Sequence, residues 1–119
     1  MSKDQSVEAP PYRQVRRYVR HRLDVRIQAS VFREGTTTTL WGRTSELGQD
    51  GLGATLTGEL KPGEVVTMEF PVPVAPFLIH VRAIVRYCYG LHCGFEFLRV
   101  TEEQRRTLSR FCEVLATGG

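Results

Sequence analysis

The sequence has no long apolar run and few cysteines. No stretch approaches the roughly 18 consecutive apolar residues that a membrane-spanning helix needs. The first eleven residues lack the apolar centre of a secretory signal. The three cysteines are an odd number, which does not suit a framework of disulfide bonds. We therefore expect a cytoplasmic protein with reduced thiols and no insertion into a membrane.

The sequence also lacks the residue patterns that carry common enzyme chemistry. It has no serine or cysteine placed with a histidine and an acid in a recognisable order, no phosphate-binding loop followed by lysine, and no acidic metal cluster. Five residues could be imagined as metal ligands, but they lack the short spacing of zinc sites. We expect them to be core or surface residues: His80, Cys88, His92, Cys93 and Cys112. The sequence predicts no enzyme, no metal site and no cofactor.

A short basic segment, Arg13 to Arg26, is the most distinctive feature that is present. It holds six of the sixteen lysines and arginines and one acidic residue, Asp24, so it carries +5 where the whole chain carries +3. Guanidinium groups form paired hydrogen bonds with phosphate and with the O6/N7 edge of guanine, and they stack on flat rings. The segment therefore predicts an anion site, in which Tyr18 could stack on a base. A solvated segment with nonspecific phosphate contacts is the alternative.

Alternation of apolar and polar residues predicts about six strands. The first begins at Leu23 and turns at Arg33 to Gly35, and four threonines with Trp41 are typical of the second. Prolines interrupt the chain after the fourth strand. The predicted strands span residues 23–31, 36–44, 52–57, 65–70, 77–87 and 93–97.

The last predicted element is a short amphipathic helix. Thr101 and Gln104 have the spacing of a capping box. Apolar residues then follow at helical intervals: Leu108, Phe111, Cys112 and Leu115. Strands followed by one helix favour a mostly β fold, a small six-stranded antiparallel β-barrel with the C-terminal helix across an opening, because closure removes exposed strand edges. Trp41 could stack on a base, but we expect it to pack inside this barrel. An open two-layer α+β sheet is the alternative fold.

The chain length suits one domain with a single hydrophobic core. Residues 1–12 are expected to form a flexible N-terminal segment, because they are polar and contain adjacent prolines. Residues 13–116 are expected to form the barrel domain with its helix, and residues 117–119 a short tail.

A glycine-rich stretch lies between the second and third predicted strands. Glycine occupies positions 48, 51 and 53. Such density predicts a tight turn with positive φ angles or a close approach of the backbone to a ligand. A simple connection between two strands is the alternative.

Together these features resemble the PilZ domain over about residues 13–116. The resemblance rests on the run Arg16 to Arg20 before the first strand, on the glycine-rich turn, and on Gly94 to Phe97 before the final helix. PilZ domains are split β-barrel receptors for the bacterial second messenger cyclic di-GMP. Their two binding motifs are an arginine pair spaced by three residues and an Asp/Asn-x-Ser-x-x-Gly turn.

The resemblance implies which residues bind cyclic di-GMP. The arginine motif is complete, whereas the turn motif is degenerate, with Glu46 in place of Asp/Asn and Gly48 in place of serine. Glu46 keeps a carboxylate for the guanine edge, and Gly48 removes a hydroxyl donor. The implied ligand-binding residues are Arg16, Arg17, Arg20, Glu46, Gly48 and Gly51.

Three functional hypotheses follow. The first is a receptor or adaptor that orders its arginine segment when cyclic di-GMP binds and signals by contact with a downstream protein. The second is a PilZ interaction module that binds no nucleotide. The third is a small basic barrel that binds RNA or DNA. The lack of aromatic residues along a strand face, on which successive bases could stack, argues against this third hypothesis. The downstream partner is not identified, and a homodimer could form through the barrel or the helix.

Overall fold

The computed structural model describes residues 18–118. The predicted N-terminal segment 1–12 and the site residues Arg16 and Arg17 lie outside the described residues, so their assignments stay predictions.

A closed barrel and one helix make up the described chain. Its elements are β1 (His21–Arg22), β2 (Arg26–Arg33), β3 (Thr36–Leu47), β4 (Gly51–Leu56), β5 (Val65–Pro71), β6 (Leu78–Tyr89), β7 (His92–Arg99) and α1 (Glu102–Gly118). The strands pair antiparallel in the order β1-β3-β2-β5-β6-β7-β4, and β4 pairs again with β3. This last pairing closes β2 to β7 into a barrel, and β1 adds to the end of β3. The prediction of a six-stranded antiparallel barrel with a C-terminal helix is confirmed.

The inward-facing residues of the strands form one hydrophobic core. On β2 the predicted face is buried at Ile27, Ala29 and Val31. Large side chains from other elements fill the interior, with Phe95 of β7 and Phe111 of α1 almost fully buried. Each such burial stabilises the fold by about 1.5–3 kcal/mol. The helix thus completes the same core that the barrel strands enclose.

The start of α1 has the predicted capping box. The Gln104 backbone N–H donates to Thr101 Oγ1 at 3.1 Å, and the Thr101 N–H donates to Gln104 Oε1 at 3.0 Å. Gln104 Nε2 also donates to the backbone oxygen of His80 on β6. These contacts satisfy backbone donors at the helix start and attach the helix to the barrel.

Trp41 does not pack inside the barrel, so that prediction is wrong. Its side chain is 51% exposed, while the preceding Leu40 is buried. Successive residues of a strand point to opposite faces, so burial of Leu40 places Trp41 outside. The large apolar area of the indole did not override the register of β3.

The first barrel strand begins later than the alternation predicts. Periodicity starts it at Leu23, whereas β2 begins at Arg26. The hydroxyl of Thr44 accepts a hydrogen bond from Val25 N at 3.0 Å and donates to Leu23 O at 2.7 Å. Side-chain hydrogen bonds of Thr44 therefore take the place of some ladder bonds here, and the stretch lies beside β3 without regular pairing.

An ion pair between β2 and the loop before β5 should make stability depend on acid pH. Arg33 Nε and Nη2 donate to the two oxygens of Glu64 at 2.7 and 2.8 Å, and Lys61 N donates to Oε1 at 2.8 Å. The hydrogen bond from Arg33, opposed by partial burial, lowers the pKa of Glu64 from 4.5 to about 2. A lowered pKa means that the stabilisation is present above pH 4.5 and is lost as the pH falls towards 2.

We therefore expect the free energy of unfolding to fall more for wild type than for Glu64→Gln when the pH is lowered from 5 to 2. The expected difference is about 1 kcal/mol, the upper end of the range for a solvent-screened ion pair. Urea unfolding of both proteins at the two pH values measures this difference. The same change in the free energy of unfolding for both proteins would contradict it.

Candidate functional site

The predicted site residues within the described chain lie together around the turn between β3 and β4. Arg20 immediately precedes β1, and β1 pairs with the end of β3 in the register His21 to Leu47. This register places Arg20 beside Gly48, the first residue after β3. Gly51 begins β4, and the Gly48 N–H donates to the Gly51 carbonyl at 2.8 Å to close the turn.

Backbone contacts with β3 hold Arg20 in this position. The Leu23 N–H donates to the Ser45 carbonyl at 3.1 Å, and the Thr44 N–H donates to the Val25 carbonyl at 2.8 Å. Thr44 is buried, and the hydrogen bonds of its hydroxyl hold the same stretch. These contacts fix the path of residues 20–25 beside β3.

The guanidinium of Arg20 lies between two carboxylates. Arg20 Nη1 is 3.4 Å from Glu46 Oε2, and Arg20 Nε is 3.4 Å from Asp50 Oδ1. Arg20 Nη1 donates a long hydrogen bond to Glu46 Oε2, and both distances exceed the usual range of about 2.7–2.9 Å for hydrogen bonds between charged groups. The Arg20 side chain is only 8% exposed, and within residues 18–118 neither Arg20 Nε nor Asp50 Oδ1 has a hydrogen-bond partner.

Such a buried polar pair keeps hydrogen-bonding capacity that a ligand could use. Buried donors and acceptors are nearly always satisfied in folded proteins, and an unsatisfied one costs about 1–3 kcal/mol. The site thus offers both a cation and carboxylate oxygens to an incoming molecule.

Two glycines let Arg20 lie close against the turn. A Cβ atom at Gly48 would be 3.0 Å from Arg20 Cδ and 3.0 Å from the Val19 carbonyl oxygen. A Cβ atom at Gly51 would be 2.1 Å from the Phe95 carbonyl oxygen and 2.7 Å from Arg20 Nη2. Gly48, one of the two departures from the PilZ motif, therefore makes room for the arginine that it faces.

An open groove of about 320 Å³ adjoins the turn at Asp50. The Phe97 N–H donates to the Asp50 carbonyl at 2.8 Å, which ties the turn to β7. Gln49 of the turn also lines the groove, which continues along the segment before β1, the end of β7 and the start of α1 through Tyr18, Phe97, Arg99 and Arg105. It thus joins the turn to two further arginines and two aromatic residues.

Sequence patterns did not assign a role to Asp50, Arg99 or Arg105. Asp50 directly precedes Gly51 inside the glycine-rich turn, which is the signal that could have found it. Arg99 and Arg105 belong to no local motif. They reach the groove because β7 pairs with β4 and because α1 begins shortly after β7 ends.

The five candidate metal ligands named from the sequence do not gather into one cluster. Among the described residues there is no group of three or more histidine, cysteine, aspartate or glutamate side chains that could hold a metal ion. The described part of the chain also has no helix of the length and apolar character needed to cross a membrane.

Comparison with known proteins identifies the family. A family model described as the PilZ domain matches residues 14–114. The PilZ domain of Escherichia coli YcgR, solved with c-di-GMP, superposes with a TM-score of 0.69 at 22% identity, covering 88% of this chain and 94% of that chain. No curated protein matches in a sequence search.

Two further solved structures share the fold. The Bacillus subtilis inhibitor of motility, MotI/DgrA, gives a TM-score of 0.67 at 16% identity over 82% of this chain, which spans 49% of that protein. The PilZ domain of CeSA from a cellulose-synthesizing bacterium gives 0.63 at 13% identity, covering 82% of this chain and 98% of that chain. The family match extends over most of the sequence, and the barrel with its helix agrees with it. The chain belongs to the PilZ domain family.

Proposed function

We propose that this protein is a receptor for cyclic di-GMP that binds the ligand with Arg20 and the turn from Glu46 to Gly51 and signals by contact with another protein. Arg16 and Arg17 complete the set of cations. The observation that carries the proposal is the buried guanidinium of Arg20, which lies between two carboxylates while Arg20 Nε and Asp50 Oδ1 have no hydrogen-bond partner among the described residues. The similarity to the YcgR domain solved with c-di-GMP supports the choice of ligand.

The chemistry of the ligand suits this site. A cyclic dinucleotide carries two phosphates and two guanines. Arginine binds phosphate oxygens and the O6/N7 edge of guanine in paired hydrogen bonds. The N–H groups of the guanine Watson–Crick edge are donors, so the carboxylates of Glu46 and Asp50 can accept from them. Tyr18, 37% exposed in the groove, offers a ring for stacking.

Ligand binding exchanges partners at Arg20. A phosphate competes with Glu46 and Asp50 for the guanidinium, and the released carboxylate oxygens face guanine donors. The groove beyond Asp50 holds one base, with Arg99 and Arg105 near its rim. The ligand in turn fixes the arginine segment over the groove, and the surface formed in this way is the one that a partner protein recognises.

Isothermal titration calorimetry of the full chain tests the proposal. We expect saturable heat with cyclic di-GMP and at least tenfold weaker binding of cyclic di-AMP, whose adenines present a different pattern of donors and acceptors. Absence of heat at tens of micromolar cyclic di-GMP would contradict it. Steeply salt-dependent binding of unrelated oligonucleotides, without preference for cyclic di-GMP, would favour the nucleic-acid hypothesis instead.

Restoring the family serine at position 48 should weaken binding in this chain. A side chain at Gly48 meets Arg20 Cδ and the Val19 carbonyl at 3.0 Å, so Arg20 has to move away from the turn. We expect Gly48→Ser to lower the affinity for cyclic di-GMP about tenfold, equivalent to one misplaced hydrogen bond of ~1.4 kcal/mol.

The same substitution separates the receptor from the interaction module without nucleotide. If the turn has lost its function, wild type binds no cyclic di-GMP and the double change Glu46→Asp with Gly48→Ser restores binding. Calorimetry of wild type, the single variant and the double variant distinguishes these outcomes. If Gly48→Ser binds cyclic di-GMP more tightly than wild type, glycine at position 48 is not needed to place Arg20 for binding.

A further inference from the structure

Cys88 and Cys93 face each other across the hairpin formed by β6 and β7. The two residues are direct partners in the register of the antiparallel pair. Their sulfur atoms are 2.7 Å apart, and both thiols are free. The connecting turn contains Gly90 with a φ of 61°, a backbone conformation that glycine adopts easily. Neither cysteine takes part in the nucleotide site described above.

The backbone already has the separation that a disulfide requires. Directly opposed residues of an antiparallel pair have Cα atoms about 4.5–5.5 Å apart. Disulfides join Cα atoms about 4.4–6.8 Å apart. The strands therefore need little movement for the two sulfur atoms to bond.

We propose that Cys88 and Cys93 form a thiol–disulfide site that a low-molecular-weight disulfide, such as glutathione disulfide, oxidises to an intramolecular bond. This inference goes beyond nucleotide binding and does not rest on it. It also extends the sequence-based expectation of reduced thiols, since the reduced pair is one of two states of the site.

The two sulfur atoms have different environments, and this difference determines which cysteine reacts first. Cys88 is half-buried and its thiol donates to the Leu60 carbonyl at 3.3 Å, whereas Cys93 is fully buried. Burial, together with Cys88 itself, raises the pKa of Cys93 to about 12. Cys88 is thus the thiol that meets the oxidant, and Cys93 is the one that resolves the intermediate.

The reaction balances in two steps. The Cys88 thiolate attacks one sulfur of glutathione disulfide, the S–S bond of the reagent breaks, and one glutathione thiolate leaves. Cys93 then loses its proton and attacks Cys88 Sγ, which releases the second glutathione thiolate. Two protein thiols lose two electrons and two protons, and the reagent gains both as two glutathione thiols.

To test the proposal, the full chain is incubated in a series of buffers in which the ratio of glutathione disulfide to glutathione increases stepwise. After an acid quench and alkylation of the remaining thiols, intact-mass and peptide mass spectrometry report the products. We expect two of the three thiols to be lost without a bound glutathione, and a peptide that links Cys88 to Cys93. Cys112→Ser serves as the matched control, because Cys112 is buried in α1 and should leave this result unchanged.

Variants of the pair make the test specific. Cys88→Ser should abolish the bond, and Cys93→Ser should stop at a glutathione adduct on Cys88. Since serine at the buried position 93 could destabilise the barrel, the peptide map of wild type decides independently of the variants. Three alkylatable thiols at the most oxidising ratio, or a stable glutathione adduct on wild-type Cys88, would overturn the proposal.

Discussion

Arg20→Ala is expected to weaken the binding of cyclic di-GMP by at least about 100-fold. A hydrogen bond to a charged group contributes about 1.5–3 kcal/mol, so the loss of one or two bonds from the guanidinium accounts for two decades of affinity. The substitution has a second effect, because Arg20 is the cation between Glu46 and Asp50. Without it, two carboxylates remain close to the path of the ligand phosphates and repel them.

Calorimetry or fluorescence anisotropy with labelled cyclic di-GMP measures this loss. Arg20→Lys keeps the charge but not the forked donor geometry, so it should fall between wild type and the alanine variant. Arg82→Ala provides a matched control, since Arg82 is an exposed arginine of β6 that lines a different groove. Binding by Arg20→Ala within threefold of wild type would show that Arg20 is not a ligand contact.

Gly51→Ala should damage both the fold and the site. The added Cβ would lie 2.1 Å from the Phe95 carbonyl oxygen, a backbone atom of β7 that cannot move without disturbing the β4–β7 pairing. It would also lie 2.7 Å from Arg20 Nη2. We expect a loss of about 2–3 kcal/mol in the free energy of unfolding, the range of forced overpacking, and loss of measurable cyclic di-GMP binding.

Urea unfolding measures the stability, and Gly53→Ala is the appropriate control. A Cβ at Gly53 would meet Ser45 Oγ at 3.1 Å and Glu46 Cγ at 3.2 Å, which are side-chain atoms that can move. Gly53→Ala should therefore cost less than half as much stability as Gly51→Ala. Equal losses for the two variants would mean that contact with the β7 backbone is not the reason for glycine at position 51.

The strands and the helix were predictable because local patterns determine them. Alternation on β2 places Ile27, Ala29 and Val31 in the core, and the capping box sets the start of α1. Trp41 shows the limit of this reasoning. The apolar character of the indole suggested that Trp41 is buried. Which residues of a strand face the core is set by the whole strand, however, and because Leu40 faces the core, Trp41 faces outward.

The candidate site was predictable only in part. The turn and Arg20 are close in space because β1 pairs with the end of β3, a contact that the resemblance to the PilZ domain implied. Asp50 acquires its role from its distance to Arg20, and Arg99 enters the groove through strand pairing. The position of Asp50 in the glycine-rich turn is a local signal, but its contact with Arg20 and the place of Arg99 depend on tertiary geometry.

The central claim is that Arg20 and the glycine turn form one binding site for cyclic di-GMP. A titration followed by two-dimensional ¹H–¹⁵N NMR tests it most directly, because the amides of Gly48 and Gly51 and the Nε–H of Arg20 are separate probes of that site. We predict that these signals move together and saturate with the affinity measured by calorimetry, while the amide of Gly35, in the β2–β3 turn, stays in place. Saturable binding that leaves the signals of Arg20, Gly48 and Gly51 unchanged would contradict the account.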